Sequence, residues 1–207
     1  MNLIVITRPD FFPCETEEVN SLFECGMPRL HLRKPGASEN QMRRWIESIQ
    51  ARYRDKIVLN DHFELCREFS LGGIHLNSRN PSAPEGLLEE YPSLSLSRSC
   101  HSLDEVQVEL GRKMNADRGF DYVCLSPSFD SISKQGYGKA FTAEELQKAK
   151  KEGIIGSRTY ALGGIELKRL PTLCELGFAG AAVLGALWNA PDREQYLRLL
   201  LEECSRG

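Results

Sequence analysis

The stretch Leu3-Ile4-Val5-Ile6-Thr7-Arg8 is a short, continuous apolar run that ends in two polar residues. Strands of a parallel sheet have this pattern when helices cover both faces, because almost every side chain is then buried. Similar runs recur along the whole chain and predict eight strands. The predicted strands span residues 3–8, 29–34, 57–61, 73–77, 93–99, 121–127, 158–163 and 180–186.

The segments between these runs have helical periodicity. Met42, Trp45, Ile46, Ile49 and Tyr53 recur at the spacing of one helix face, so we expect a single helix there. Capping boxes, in which a hydroxyl precedes Glu or Gln by three residues, predict where helices begin. These boxes start at Ser38, Ser102 and Thr142.

Eight strand–helix units in 207 residues predict an α/β fold, namely a single (β/α)8 barrel of the TIM type that spans residues 1–207. An open, doubly wound sheet is the alternative. No composition break along the chain indicates a second domain. In a barrel of this kind the carboxyl ends of the strands carry the chemistry, so the polar residues at those ends are the candidate site.

The composition restricts the class of protein. With 41% hydrophobic and 27% charged residues and a net charge of −3, the chain is typical of a globular protein without a nucleic-acid or membrane partner. The apolar runs are too short to span a bilayer, and the first residues do not resemble a secretory leader. Seven scattered cysteines without a C-x-x-C motif predict reduced thiols and a cytoplasmic location.

Glycines follow the last two predicted strands. Gly164 lies in the turn after the seventh run and Gly185 at the end of the eighth, where glycines let backbone amides approach a phosphate. We therefore predict a phosphate site there, with tight-turn packing as the alternative.

Charged residues follow the earlier strands. Side chains alternate along a strand, so one of Arg33 and Lys34 is expected to face inward, and an inward arginine can clamp a diphosphate. A pair of exposed surface cations is the alternative. Asp61 is a candidate Mg²⁺ ligand, with a helix N-cap as the alternative. The glycine- and hydroxyl-rich segment 126–139 is typical of a lid over an anionic ligand, or of a plain loop. All four histidines lie at or just past the predicted carboxyl ends, and the opposite strand ends show no such enrichment.

The set of strand ends resembles the family of thiamin phosphate synthase and its relative, thiazole tautomerase. The resemblance runs from Leu3 to about Trp188 and depends on the order and spacing of several short motifs. These motifs are His31-Leu32-Arg33-Lys34-Pro35, Asn60-Asp61, residues 73–80, Ser99-Cys100-His101, residues 126–134, Leu162-Gly163-Gly164-Ile165 and Val183-Leu184-Gly185-Ala186.

The resemblance implies a transferase that joins hydroxymethylpyrimidine diphosphate to a thiazole phosphate and releases diphosphate. It also implies a role for each matched residue. The implied catalytic residues are Arg33, Lys134 and Ser99; the implied substrate-binding residues are His31, Asn60, Ser131, Ser133, Gly164 and Gly185; the implied Mg²⁺ ligands are Asp61 and Asn80. The implied partners are phosphorylated small molecules, and assembly into a homo-oligomer is left open.

The sequence departs from the family pattern at several positions. Asn80 replaces the second metal aspartate, His31 replaces a glutamine, and Pro35 replaces a lysine, with Lys34 one residue early. Gly185 also stands at the usual serine of the final turn. The tautomerase branch has a histidine where this chain has Pro127, which favours the synthase; substitution of that histidine by His31, His75 or His101 is the alternative. A non-catalytic protein that binds thiazole phosphate is a third alternative.

Overall fold

Eight parallel strands close into a barrel in the computed structural model, which describes residues 1–113, 118–128 and 141–206. Each strand pairs with its sequence neighbours, and β1 pairs with β8 through Asn2–Gly180 to Val5–Val183. The (β/α)8 barrel is therefore confirmed and the open sheet is wrong. The strands are β1 Asn2–Ile6, β2 Leu30–Leu32, β3 Ile57–Leu59, β4 Gly73–Leu76, β5 Ser95–Cys100, β6 Tyr122–Leu125, β7 Thr159–Leu162 and β8 Gly180–Val183.

Helices surround this barrel. The α-helices are α1 Glu15–Glu24, α2 Glu39–Glu47, α3 Leu87–Glu90, α4 Leu103–Gly111, α5 Ala143–Lys151, α6 Leu170–Glu175, α7 Gly185–Trp188 and α8 Arg193–Arg206. Short 3₁₀ helices span Ala51–Lys56, Phe63–Arg67 and Leu167–Arg169. Within the described residues, none of these helices is long and apolar enough to cross a membrane.

Two predicted helices differ from the observed ones. The stripe from Met42 to Tyr53 is split between α2 and the 3₁₀ helix that follows, because the Asn20 side chain intervenes. Its Nδ2 donates to the Ser48 carbonyl at 3.1 Å and its Oδ1 accepts from the Gln50 amide at 3.0 Å. The N-cap alternative for Asp61 implies a second helix just after that residue, and the segment there is a single 3₁₀ helix, Phe63–Arg67. Side-chain contacts from elsewhere in the chain thus override local periodicity.

The three predicted helix starts are observed, with one change in hydrogen bonding. Ser38 and Thr142 form complete capping boxes with Gln41 and Glu145. The Ser102 hydroxyl accepts from the Glu105 amide, but the Glu105 carboxylate accepts from the amide of His101.

Alternation along the strands divides the interior into two layers. Outward-facing side chains such as Leu30 and Leu32 pack beneath the helices in the main apolar core. Inward-facing residues form a second, smaller cluster along the barrel axis. Its buried members are Ile4, Ile6, Tyr122, Cys124 and Ala182.

Lys34 lies in the outer layer, where it is fully buried. Its Nζ donates to the Glu15 carboxylate at 2.5 Å and to the backbone carbonyls of Arg8 and Asp10, each at 2.9 Å. The indole of Trp45 donates to the second Glu15 oxygen at 3.1 Å. Burial lowers the pKa of Lys34 and raises the pKa of Glu15, although the ion pair opposes both shifts.

This ion pair predicts a large effect of removing one partner. Lys34→Met leaves the Glu15 carboxylate buried without its counter-ion, which should reduce the free energy of unfolding by about 3–5 kcal/mol. The double variant Lys34→Met/Glu15→Gln should recover part of that loss. Arg206→Met, in the exposed pair Arg206–Glu202, is the control and should cost under about 1 kcal/mol. Urea unfolding measures all three, and a Lys34→Met loss no larger than the control's would contradict the assignment.

Candidate active site

Three asparagines join the carboxyl ends of β3 and β4. The side-chain amides of Asn77 and Asn80 both donate to the backbone carbonyl of Asn60, at 2.8 and 3.0 Å. Asn60 itself is 7% exposed, and its Oδ1 is buried without a hydrogen-bond partner among the described residues. A buried acceptor without a partner is costly, so this atom indicates a place where a ligand donor or cation binds.

Asp61 follows Asn60 at the end of β3 and is half-buried. Its Oδ1 accepts from the His62 amide at 2.8 Å, and the following 3₁₀ helix has no side-chain cap. The N-cap alternative is therefore wrong. In the described residues no group of three His, Cys, Asp or Glu side chains is placed to hold a metal. One carboxylate beside amide oxygens fits Mg²⁺, which usually takes few protein ligands and completes its shell with water and phosphate oxygens.

Arg33 lies one residue beyond β2, on the inward side set by His31. Its backbone is fixed by buried Thr7, whose Oγ1 accepts from the Arg33 amide at 2.9 Å and donates to the Arg33 carbonyl at 3.1 Å. Lys34 faces the other way, into the ion pair with Glu15. Lys34 therefore does not replace the family lysine at Pro35, and the inward direction of the Arg33 side chain stays a prediction.

Two histidines lie inside the barrel. The expectation that all four histidines gather at the carboxyl ends is wrong for His31 and His75, which are each 2% exposed in the barrel interior. His31 Nε2 lies 2.7 Å from the Tyr122 hydroxyl. His75 bridges two hydroxyls of β5, with Nδ1 at 2.8 Å from Ser97 Oγ and Nε2 at 2.8 Å from Ser99 Oγ.

Both inner histidines are neutral. Burial lowers the pKa of His75 to about 3, and it lowers the pKa of His31 well below its usual value. The two imidazoles lie with ring centroids 4.8 Å apart, so a charge on one also disfavours a charge on the other. The side chains below the mouth can therefore form hydrogen bonds, but the two imidazoles add no positive charge there.

The other two histidines lie at the carboxyl ends and are held by backbone carbonyls. His62 Nε2 is 2.8 Å from the Ala37 carbonyl, and His101 Nδ1 is 3.0 Å from the Ser126 carbonyl. The contact with Ser126 places the His101 ring beside Pro127, the position at which the tautomerase branch has a histidine.

Glycine amides are open on the opposite side of the mouth. Gly163 and Gly164, after β7, have φ values of +98° and +65°, which favour glycine. Gly185 begins α7, which is anchored by a 2.7 Å hydrogen bond from the Trp188 indole to the Ile6 carbonyl. No carbonyl or side chain of the described residues accepts from the Gly164 or Gly185 amide. Within the part of the chain that the structure describes, both amides can therefore donate to a ligand.

The site residues expected in the segment after Pro127 cannot be placed. Lys134, Ser131 and Ser133 lie outside the described residues. Asn60 contacts Asn80, and His75 contacts Ser99; the Asn77 amide, which donates to the carbonyls of both Asn60 and His75, joins the two pairs across β3 to β5.

The amino-terminal end of the barrel is also polar, which the sequence analysis missed. A cavity of about 650 Å³ opens there, lined by residues that include Asn2, Arg29 and Tyr160. Arg29 donates to Ser95 Oγ at 2.9 Å and lies over the Tyr122 ring. The signal was present in the sequence, because Arg29 begins the predicted strand 29–34 and Ser95 lies near the start of the predicted strand 93–99.

Fold and site together define a (β/α)8-barrel protein with a polar mouth at the carboxyl ends of its strands. A family model described as thiamine monophosphate synthase matches residues 3–187, and the chain belongs to that family.

Individual relatives agree with this assignment. The chain is similar to a thiamine phosphate pyrophosphorylase from Bacteroides thetaiotaomicron, with 39% identity, coverage of 99% and 98% of the two chains, and a TM-score of 0.82. It is 28% identical to the thiamine-phosphate synthase of Syntrophomonas wolfei, over 92% of this chain and 89% of that protein. A Pyrococcus furiosus thiamine phosphate pyrophosphorylase, at 22% identity and a TM-score of 0.77 over 99% and 96% of the chains, shares the fold.

The neutral histidines predict a pH dependence of stability. In the unfolded chain His75 takes up a proton as the pH falls through its usual pKa of 6.5, whereas in the folded barrel its pKa is about 3. The unfolded state therefore binds more protons, and stability is lost as the pH falls from 6.5 toward 3. For this one group the free energy of unfolding should fall by about 2 kcal/mol between pH 7 and pH 5.

Urea unfolding of the wild type and of His75→Gln at both pH values measures this effect. The Gln variant lacks the titrating group, so its loss of stability should be smaller by about that amount. Equal losses in the two proteins would show that His75 binds a proton in the folded state.

Proposed function

We propose that this protein is a thiamin phosphate synthase, which couples hydroxymethylpyrimidine diphosphate to thiazole phosphate and releases diphosphate. The observation that carries the proposal is the division of one barrel mouth into two sides. The β3–β5 side gathers Asn60, Asp61 and Ser99, and the β7–β8 side offers the open amides of Gly164 and Gly185. Two phosphorylated heterocycles need two such sides.

The β2–β5 side suits the diphosphate. Arg33 follows β2 and supplies a guanidinium, which pairs well with phosphate oxygens. Asn60 and Ser99 supply an amide and a hydroxyl. His31 lies beneath them in the axis, where it replaces the family glutamine and meets the pyrimidine end of the substrate.

Mg²⁺ fits beside this side of the mouth, with Asp61 and the Asn80 amide oxygen as its protein ligands. The buried, unpartnered Oδ1 of Asn60 is a further oxygen at the same strand end. When bound, Mg²⁺ supplies positive charge to the diphosphate oxygens. Because Asn80 carries no charge, the substrate's own oxygens would provide most of the binding.

The thiazole phosphate belongs on the β7–β8 side. Backbone amides of Gly164 and Gly185 donate to its oxygens, with Ser131 and Ser133 as the hydroxyl donors that the family pattern implies. Gly163 and Gly164 keep the turn close to the ligand because they have no side chain there.

The reaction needs charge stabilisation more than proton transfer. The bond from the pyrimidine methylene carbon to the diphosphate oxygen breaks, and its electron pair leaves with the diphosphate. The thiazole nitrogen then donates its lone pair to that carbon. Arg33 and Lys134 would stabilise the leaving group, and the neutral His31 and His75 place no charge near the cationic pyrimidine.

We further propose that residues 1–207 form one domain and that the protein works in the cytoplasm. All seven cysteines are free thiols, which supports a reducing environment.

The purified protein, given both substrates and Mg²⁺, should form thiamin phosphate and diphosphate in equal amounts. Chromatography of the product and a diphosphate assay measure this directly. Isomerisation of thiazole carboxylate phosphate in place of coupling would indicate the tautomerase. Binding of thiazole phosphate by calorimetry without any turnover would indicate the non-catalytic protein.

Asp61→Ala should raise the Mg²⁺ concentration for half-maximal turnover by about 10-fold or more, because it removes the charged ligand of the proposed site. Glu89→Ala, an exposed carboxylate on α3, is the control and should leave the titration unchanged. An unaltered titration in Asp61→Ala would limit Asp61 to its hydrogen bond with the His62 amide.

A further inference from the structure

The cavity at the amino-terminal end of the barrel lies at the opposite end from the mouth. Its volume of about 650 Å³ falls within the usual range of small-molecule sites. The starts of β1, β5 and β6 contribute Asn2, Ser95 and Tyr122 to its lining. None of the mouth residues described above lines it, so the cavity is separate from the candidate active site.

Three charged residues line this cavity, and two of them are paired with each other. Asp121 Oδ2 accepts from the Leu96 amide at 2.7 Å and from the Arg118 guanidinium at 3.0 Å. Arg118 also donates to the carbonyls of Pro92, at 2.7 Å, and of Leu94. Arg118 and Asp121 therefore build the wall of the cavity, and their charges balance.

Arg29, the third charged residue, has no counter-ion. It is half-buried, and no carboxylate of the described residues forms an ion pair with it. Its recorded acceptors are two neutral hydroxyls, that of Ser95 at 2.9 Å and that of Tyr122. A guanidinium has five N–H donors, so donors and a full positive charge are left over. An uncompensated charge that is partly withdrawn from water is costly, which indicates that an anion binds here.

Tyr160 supplies a second donor beside Arg29. Its oxygen accepts from Asn2 Nδ2 at 2.8 Å, so its own hydrogen remains for a ligand. Burial raises the pKa of Tyr160, and the nearby charge of Arg29 opposes that shift. The phenol is therefore protonated at neutral pH and close enough to the guanidinium for both groups to donate to one anion.

The ring of Tyr160 is fixed in place by its neighbours. It stacks on Tyr122 with ring centroids 4.6 Å apart. A Cβ at Gly180 would overlap the Tyr160 ring, so the glycine makes room for it. The Tyr160 hydroxyl thus has a defined position before any ligand binds.

We propose that this cavity binds the oxyanion group of a small molecule, a phosphate or a carboxylate, through the Arg29 guanidinium and the Tyr160 hydroxyl. A guanidinium pairs with either group through two parallel N–H donors, and the phenol adds a third hydrogen bond. The stacked tyrosines form a wall for the body of the ligand. The site shares no residue with the mouth, so it is independent of the coupling reaction.

Nitrogen-15 NMR of arginine-labelled protein locates the bound anion. In a titration with inorganic phosphate at constant ionic strength, which removes general screening, the Arg29 Nε signal should shift and saturate. The Arg33 signal reports phosphate at the mouth separately. A parallel titration with benzoate distinguishes the two ligand classes, because the anion that saturates Arg29 at the lower concentration carries the preferred group. An Arg29 signal that saturates with neither anion would overturn the proposal.

Two variants test the two donors. Arg29→Gln should weaken binding of the preferred anion by about 10- to 100-fold, which is the range of hydrogen bonds to a charged group, and the Tyr160 ring protons follow the site in this variant. Tyr160→Phe keeps the ring and should weaken binding by about 10-fold, as followed by the Arg29 signal. Arg44→Gln, at an exposed arginine of α2, is the control and should bind like the wild type. Equal affinities of Arg29→Gln and Arg44→Gln would contradict the assignment.

The same measurements separate a binding site from a purely structural arginine. If Arg29 only stabilises the end of the barrel, Arg29→Gln lowers the free energy of unfolding while the wild-type signal never saturates, and the proposal is wrong. Should Arg29→Gln fail to fold, as judged by circular dichroism, the wild-type titration and Tyr160→Phe decide the question. Formation of thiamin phosphate bears on the mouth alone and changes none of these outcomes.

Discussion

The alternation of side chains along eight short parallel strands is the constraint on which this molecule depends. A single step along β2 separates an inward residue from an outward one, and the difference in environment is large. His31 faces the axis and Leu32 faces the helices. Beyond the strand, Lys34 is buried with Glu15 in the outer layer, and the same alternation assigns Arg33 to the inward side. A one-residue shift in register would exchange these roles completely.

Several side chains along the barrel axis are buried and polar, yet carry no charge. Ser97 and His75 are buried there, and an unpaired ion in their place would be expensive. A neutral imidazole avoids this cost, because it both donates and accepts hydrogen bonds. Burial keeps it neutral by lowering its pKa. The hydroxyls of Ser97 and Ser99 bond to the two ring nitrogens of His75, and the Tyr122 hydroxyl bonds to His31 Nε2. Hydrogen bonds of the two histidines thus connect neighbouring strands inside the barrel, beneath its mouth.

The barrel could be predicted from the sequence because eight apolar runs are a repeated, local signal. The motifs around Asn60 and Gly164 could be assigned to one end for the same reason, since the carboxyl ends of the strands converge. Features that depend on distant contacts were not predictable. Asn20 ends α2 from another helix, and the partner of Lys34 lies 19 residues away in α1. The pairing of His75 with two serines follows from the β4–β5 register, which no local pattern contains.

The departures from the family pattern act together on the charge of the mouth. Relative to the family pattern, Asn80 removes one negative charge from the proposed metal side, and Pro35 removes one positive charge from the proposed diphosphate side. Lys34 cannot compensate, because its ammonium is bound to Glu15 and two carbonyls. The two losses cancel in net charge. Binding then depends less on charged side chains and more on neutral hydrogen-bond donors and on the substrate's own oxygens. Neutral donors act only when their hydrogens are correctly aimed, so a barrel with fewer ions at its mouth depends more strongly on the hydrogen-bonded groups beneath it.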